Sequence, residues 1–230
     1  TVPDFQYPNI IDELRYGVRL ELMQKPARST LTIRRTLTEQ ALPYRQLGSF
    51  LPGDGVGGAG VHWNGQNWRP MENELRLRSY VRENWGEGII PAGMELYDYP
   101  LSHAELEPFF DRFEYMAGIS GKAGNIRGQI IAGGNPFEAP RSRDYPMPAL
   151  PQTLDATMFA EAARAMGYHP FPRPAGNASR SYVNEYGMQL GPCNFCGFCE
   201  RYGCLNYSKS APQTCILDAL RRKPNFSYRT

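Results

Sequence analysis

The chain has 230 residues, of which 41% are hydrophobic and 21% charged, and its net charge is +2. These values exclude a coiled coil, a collagen-like chain and a highly charged disordered tail. They equally exclude a basic field for nucleic acid and a polybasic membrane anchor.

No apolar run approaches the roughly 18 residues that span a bilayer. The opening Thr1-Val2-Pro3-Asp4-Phe5 has neither the basic nor the apolar stretch of a signal peptide. Glycine and proline together make nearly a fifth of the chain, alongside 12% aromatics. Disordered chains are poor in aromatics, so this is the composition of an ordered, loop-rich protein. Its glycines then stand where a Cβ would be in the way.

Taken in order, Ile10–Gly17 reads as a short helical turn closed by glycine, and Leu31–Leu37 alternates like a half-exposed strand. Residues 48–68 form a glycine-rich loop. Four helices follow. The first covers 72–84. The second starts at a capping box, Ser102-x-x-Glu105, carries Leu106, Phe109, Phe110, Phe113 and Ala117 as an inner stripe, and stops at Gly118. The third runs from Asp155 to Met166, with Phe159, Ala162, Ala163 and Met166 on one face and Gly167 at its end. The fourth is capped by Ser210, has Pro212 in its first turn, and turns Ile216, Ala219 and Leu220 inward before Pro224. Between the second and third lies a long Gly/Pro-rich stretch, 118–152, with Arg127, Arg141 and Arg143. Loops of that length are functional or disordered, and segment 127–143 reads either as a lid or subunit contact or as an ordinary surface loop. Strand signals are few and short, so the expected class is α+β: one mixed, loop-rich unit.

Five glycines (53, 55, 57, 58 and 60) fall within eight residues, followed by Val61-His62-Trp63-Asn64-Gly65. No Gly-Lys-Ser/Thr follows, so this is not a phosphate-binding P-loop. Gly53-x-Gly55-x-x-Gly58 lacks the preceding apolar strand and following helix of a dinucleotide fingerprint. The physical alternative is a backbone that faces a flat or anionic ligand at close range. Trp63 and Trp68 then cover a ring system, and His62 serves as nucleophile, base or attachment point. The plainer alternative is a tight turn with a structural histidine.

Cys193, Cys196, Cys199 and Cys204 read C-x2-C-x2-C-x4-C. Structural zinc uses two knuckles separated by a dozen or more residues. Close spacing suits an iron–sulfur cluster better, although the bacterial ferredoxin run has a last gap one residue shorter, and three thiolates suffice for a cluster lacking one iron. The alternative is a turn of buried thiols. Cys215 stands apart on the last helix and reads as core.

Four motifs together resemble the glucose-methanol-choline (GMC) oxidoreductases. They are Gly55–Arg69, Ser120–Asn125, Gly133–Arg143 and Cys196–Cys204. The resemblance covers nearly the whole chain. It is nearest to the branch of flavoprotein subunits of membrane-bound gluconate 2-dehydrogenases and related sugar and polyol dehydrogenases. It implies an internal fragment of an FAD/NAD(P)-binding-like GMC fold: 1–70 a flavin-contacting portion, 71–190 helices and lid-like loops, 191–230 the cysteine loop and a helix.

The resemblance further implies oxidation of an alcohol group of a sugar or sugar acid such as gluconate. FAD is contacted by Gly55, Gly57, Gly58, Gly60, His62, Trp63 and Asn64. His62-Trp63 matches the pair that carries a covalent flavin in pyranose oxidase. An iron–sulfur cluster on Cys193, Cys196, Cys199 and Cys204 passes electrons to a cytochrome c subunit, and a small subunit completes a periplasmic complex held at the membrane only through its partner. The family's strand–GxGxxG–helix unit and its catalytic His, paired with His or Asn, are not matched by any residues here, so the catalytic residues stay unassigned and the fragment alone is expected to be inactive. Two readings of other classes compete: a stand-alone iron–sulfur electron-transfer module and a zinc-stapled interaction domain.

Overall fold

In the computed structural model the described residues are 31–34, 36–40, 42–44, 56–197, 199 and 203–228. The expected helical turn at Ile10–Gly17 lies outside them, as do Gly53, Gly55, Phe198 and Tyr202. The first strand pair is antiparallel, β1 (Leu31–Ile33) with β2 (Leu42–Tyr44). The predicted strand thus ends at Ile33 and gives way to a turn closed by Glu39 N–H to the Thr36 carbonyl.

The helix expected over 72–84 is broken in two, α1 (Glu72–Leu75) and α2 (Leu77–Trp85). Arg76 between them leaves helical geometry, with φ −119° and ψ 42°. Helix α3 (His103–Ala117) begins as the capping box requires: Ser102 Oγ accepts from Glu105 N–H, and the Glu105 carboxylate accepts from Ser102 N–H at 2.8 Å. It ends at Gly118 in the left-handed conformation, φ +66°, where a Cβ would lie 2.7 Å from the Tyr182 ring. Helix α4 (Leu154–Ala165) stops just before Gly167.

The faces of α3 and α4 correct the sequence reading. On α3, Phe109 is 68% exposed, and the buried side chains are His103, Glu114 and Ala117. The polar edge faces inward because Glu114 is held by two buried arginines, which an apolar stripe cannot satisfy. On α4 the buried residue is Ala160, while Phe159 and Met166 are each 72% exposed. The fourth helix also differs. Gln213–Leu217 is a π-helical turn running into the short α5 (Asp218–Arg221). Ser210 does not cap it; its hydroxyl donates to the Ala117 carbonyl at the end of α3. Cys215 is buried, as its position predicted.

Small paired strands complete the fold. β3 (Ser120–Gly121) runs parallel to β6 (Met147–Pro148), and β4 (Asn125–Ile126) pairs antiparallel with β5 (Gln129–Ile130). β7 (Tyr182–Val183) and β8 (Gln189–Leu190) form a hairpin. Residues 174–178 act as a spine. They exchange backbone bonds with Gly65 and Asn67 on one side and with Ser120 on another, and Ala178 N–H reaches the Ser208 carbonyl. Two small apolar clusters sit against this spine: Ala117, Ile119 and Tyr145; and Met147, Ala178 and Leu190 with Tyr182.

The long stretch 118–152 is ordered by its own glycines. Gly124 and Gly134 pack backbone to backbone; a Cβ on Gly124 would lie 2.0 Å from the Asn135 carbonyl oxygen. The Glu138 carboxylate accepts from the N–H groups of Gly124 and Asn125, and Arg141 N–H donates to the Asn125 carbonyl. Motifs 120–125 and 133–143 are therefore one structural unit. Among the described residues, no helix is long and apolar enough to cross a membrane.

Candidate functional site

Glycine turn and cysteine loop meet through the C-terminal segment. Gly58–Val61 is a 3-10 turn entered through Gly57 at φ +97°. His62 N–H closes it on the Ala59 carbonyl, and the His62 side chain is 5% exposed. The missing side chain at Gly57 makes room for Gln213, 2.7 Å from where a Cβ would stand, and that at Gly60 for Pro212 at 3.0 Å. Gln213 Nε2 donates to the Val56 carbonyl at 2.6 Å. The closest approach these two glycines permit is thus to the chain's own π-turn.

Trp63 is half-buried. Its indole N–H donates to the Ser210 carbonyl at 2.6 Å, and its ring lies over Gly176, 2.5 Å from that residue's Cβ position. Asn64 is exposed and closes a local turn by accepting from Gln66 N–H. Trp68 is 52% exposed, edge-on to Phe171. The two tryptophans therefore do different work: Trp63 is committed to packing and Trp68 remains at the surface.

All four clustered cysteines are half-buried and free. Cys193, Cys196 and Cys199 line one open cavity of about 910 Å³ together with Phe159, Phe171 and Phe195. Backbone turns at Phe195 (φ +55°) and Gly197 (φ +76°) reverse the chain between them. Phe195 N–H points at Cys193 Sγ (3.4 Å), and Asn177 Nδ2 at Cys199 Sγ (3.3 Å). Cys204 is turned aside, its thiol donating to Asn206 Oδ1 at 2.8 Å. Burial pushes the Cys193 thiol up, and the charges of Cys199, Cys196 and Cys204 push it further, against the Phe195 N–H. Burial conversely pulls Lys209 down, while Cys199, Cys204 and Cys196 hold it up.

Four thiols, two of them with N–H···S contacts, are the donor chemistry of an iron–sulfur centre. In this arrangement they do not converge: among the described residues, no three His, Cys, Asp or Glu side chains are grouped so as to hold a metal ion.

A buried ionic network braces the same region. Arg69 forks onto Glu114 at 2.7 and 2.8 Å and reaches Glu107 at 3.2 Å. Arg141, fully buried, donates to Glu114 Oε2, which also accepts from Arg69, and stacks over Tyr145, 3.8 Å from the ring centre. Burial raises the Tyr145 phenol to about 12. Arg143 forks onto Asp111 at 2.8 Å and holds that carboxyl below its usual range. The segment read as a lid or surface loop is thus anchored through Arg141. Sequence reasoning missed Glu107, Asp111 and Glu114, although their i, i+4, i+7 spacing puts them on one helix face. It also missed Asn177 and Lys209, which carry no local signal.

Comparison with known proteins supports a fragment of a GMC-like dehydrogenase. The chain is 49% identical over its whole length to the gluconate 2-dehydrogenase flavoprotein of Pantoea cypripedii, of which it spans 38%. It is 30% identical over 56% of its length to the fructose dehydrogenase large subunit of Gluconobacter japonicus, of which it spans 20%. It is 26% identical over 76% of its length to the paromamine 6'-oxidase of Streptomyces fradiae, of which it spans 27%. No family model matches the chain.

Proposed function

We propose that this chain forms part of an FAD-dependent dehydrogenase that oxidises an alcohol group of a sugar or sugar acid such as gluconate. The observation that carries this reading is the 49% identity, sustained from end to end, to a gluconate 2-dehydrogenase flavoprotein. The glycine turn and the residues after it would contact the flavin through Gly55, Gly57, Gly58, Gly60, His62, Trp63 and Asn64. Bound flavin supplies the acceptor for the hydride of the alcohol carbon. The chain's own residues build the support: Pro212 and Gln213 fix the glycine turn, and Ser210 orients Trp63.

Cys193, Cys196, Cys199 and Cys204 would supply the ligands of an iron–sulfur relay, at least three of them binding iron. Three of these thiols open on one cavity, which supports the reading. Electrons would leave for a cytochrome c subunit of a periplasmic complex, held at the membrane through its partners.

The test uses the full-length protein with its partner subunits. Gluconate is expected to bleach the flavin absorbance, and iron and acid-labile sulfide are expected in the flavoprotein. Replacing Cys199 by Ser should leave bleaching intact and block reduction of the haem. Zinc in place of iron, or no metal, would refute the relay. After acid denaturation, flavin should stay on the polypeptide and be lost in His62→Ala; complete release from the wild type would refute attachment at His62 alone.

A further inference from the structure

Helix α4 leans on the rest of the protein through its small residues. Ala160 is buried, and Ala156, Thr157 and Ala163 beside it are half-buried. The large apolar side chains point the other way. Leu154 is 77% exposed and Met158 61%, and Phe159 and, one residue past the helix, Met166 stand out with them. At about 100° per residue these four fall, with Ala162 and Ala165, in one arc of about 140°. The one charge inside that arc is Asp155, in the first turn; Glu161 and Arg164 lie outside it. Alanine contacts bring a helix close but bury little area, whereas a surface helix draws most of its stability from packing its large apolar stripe. Soluble proteins rarely leave such a stripe in water.

We propose that this face of α4 is a docking surface for the remainder of the flavoprotein polypeptide, a segment of the same chain outside these 230 residues. This rests on the reading of the chain as part of a longer dehydrogenase flavoprotein. Two observations choose that occupant. The chain spans only 38% of the gluconate 2-dehydrogenase flavoprotein that it matches from end to end, so most of a polypeptide of that length is available to supply the cover. The composition of the face also suits permanent cover. Contacts that form and separate are about as polar as ordinary surface, whereas permanent ones resemble a core cut in half. One leucine, two methionines and a phenylalanine around a single carboxylate make a core composition. Methionine is unbranched and polarisable and fills irregular gaps, so the complementary segment is an apolar one.

The test is methionine oxidation by hydrogen peroxide on the purified full-length flavoprotein, alone and with its partner subunits, read by peptide mass spectrometry. Met158 and Met166 are native probes, and buried Met147 is the internal reference. In the isolated flavoprotein, at every concentration, both probes are expected to oxidise as slowly as Met147 and at least about tenfold more slowly than in the guanidinium-unfolded protein. Met158→Glu keeps helix propensity and adds a charge, so it should lower the urea concentration at which the full-length protein unfolds.

Rapid oxidation of both probes in the flavoprotein and in the complex would overturn the proposal, as would an unchanged urea midpoint in Met158→Glu. Protection that appears only in the complex would assign the face to a partner subunit, and protection that grows with concentration would assign it to a second copy; either overturns the proposal. If Met158→Glu fails to fold, the wild-type oxidation rates decide alone. Gluconate bleaching of the flavin, followed in the same preparation, reports separately on the dehydrogenase reading: its absence would overturn that reading without changing the protection rates.

Discussion

At the scale of single residues, Glu114 anchors the buried ionic network. One buried carboxylate serves two buried guanidiniums, Arg69 and Arg141, with side chains 6% and 0% exposed. The Glu107 carboxyl takes part of the load. Burial would raise it, but the bonds from Ser142 N–H and Arg69 prevail and hold it low. Glu114→Leu leaves two cations buried without their shared partner. It is expected to cost about 3–5 kcal/mol in urea unfolding, and Glu107→Gln much less. Gly124 tests a different force. Its Cβ would meet backbone, not a side chain that can swing away, so Gly124→Ala should cost about 3 kcal/mol. At Gly133, where nothing lies within reach of a Cβ but φ is +83°, alanine meets a backbone objection and no packing one.

At the scale of elements, helix α3 shows how termini and faces are decided separately. Its ends follow local chemistry, the Ser102–Glu105 box and Gly118, and were legible because a cap needs only neighbours in sequence. Its inward face was not, because the burial of Glu114 depends on Arg69 and Arg141 from distant segments. The first residue of the helix adds a pH dependence. Burial first, and then the charge of Arg69, pull the His103 imidazole below its ordinary value. The folded state therefore binds fewer protons than the unfolded chain, so the stability this residue contributes is complete above about pH 6.5 and declines as the pH falls toward the folded value. Thermal unfolding between about pH 7 and 5 is expected to show that decline, and His103→Gln should flatten it across that window.

At the scale of the whole molecule, the described residues hold together through polar junctions more than through one apolar core. The two buried apolar clusters are small, while Phe109, Phe159, Met158 and Met166 stand exposed on α3 and α4. Asn184 is typical of the alternative. Its amide nitrogen donates to the carbonyls of Met116 and Cys215, and its oxygen accepts from Tyr186 and Met188 N–H. One side chain so joins the end of α3, the β7–β8 hairpin and the π-turn. Asn184→Leu is expected to unfold the chain at markedly lower urea, since four hydrogen bonds are lost and two carbonyls and two N–H groups lose this partner.

The sequence by itself determined the caps of α3, the stop at Gly167, the core place of Cys215, the α+β character and the two chemical motifs, glycine turn and cysteine run. Each depends on residues close together in the chain or on composition. Only the tertiary structure decided that Gly57 and Gly60 accommodate Gln213 and Pro212, that Arg141 is buried on Glu114, and that Asn177 and Lys209 meet at Cys199. Those arrangements join residues from ten to more than a hundred positions apart. They arise from the need to pair every buried polar group, a requirement on the assembled chain that no local pattern records.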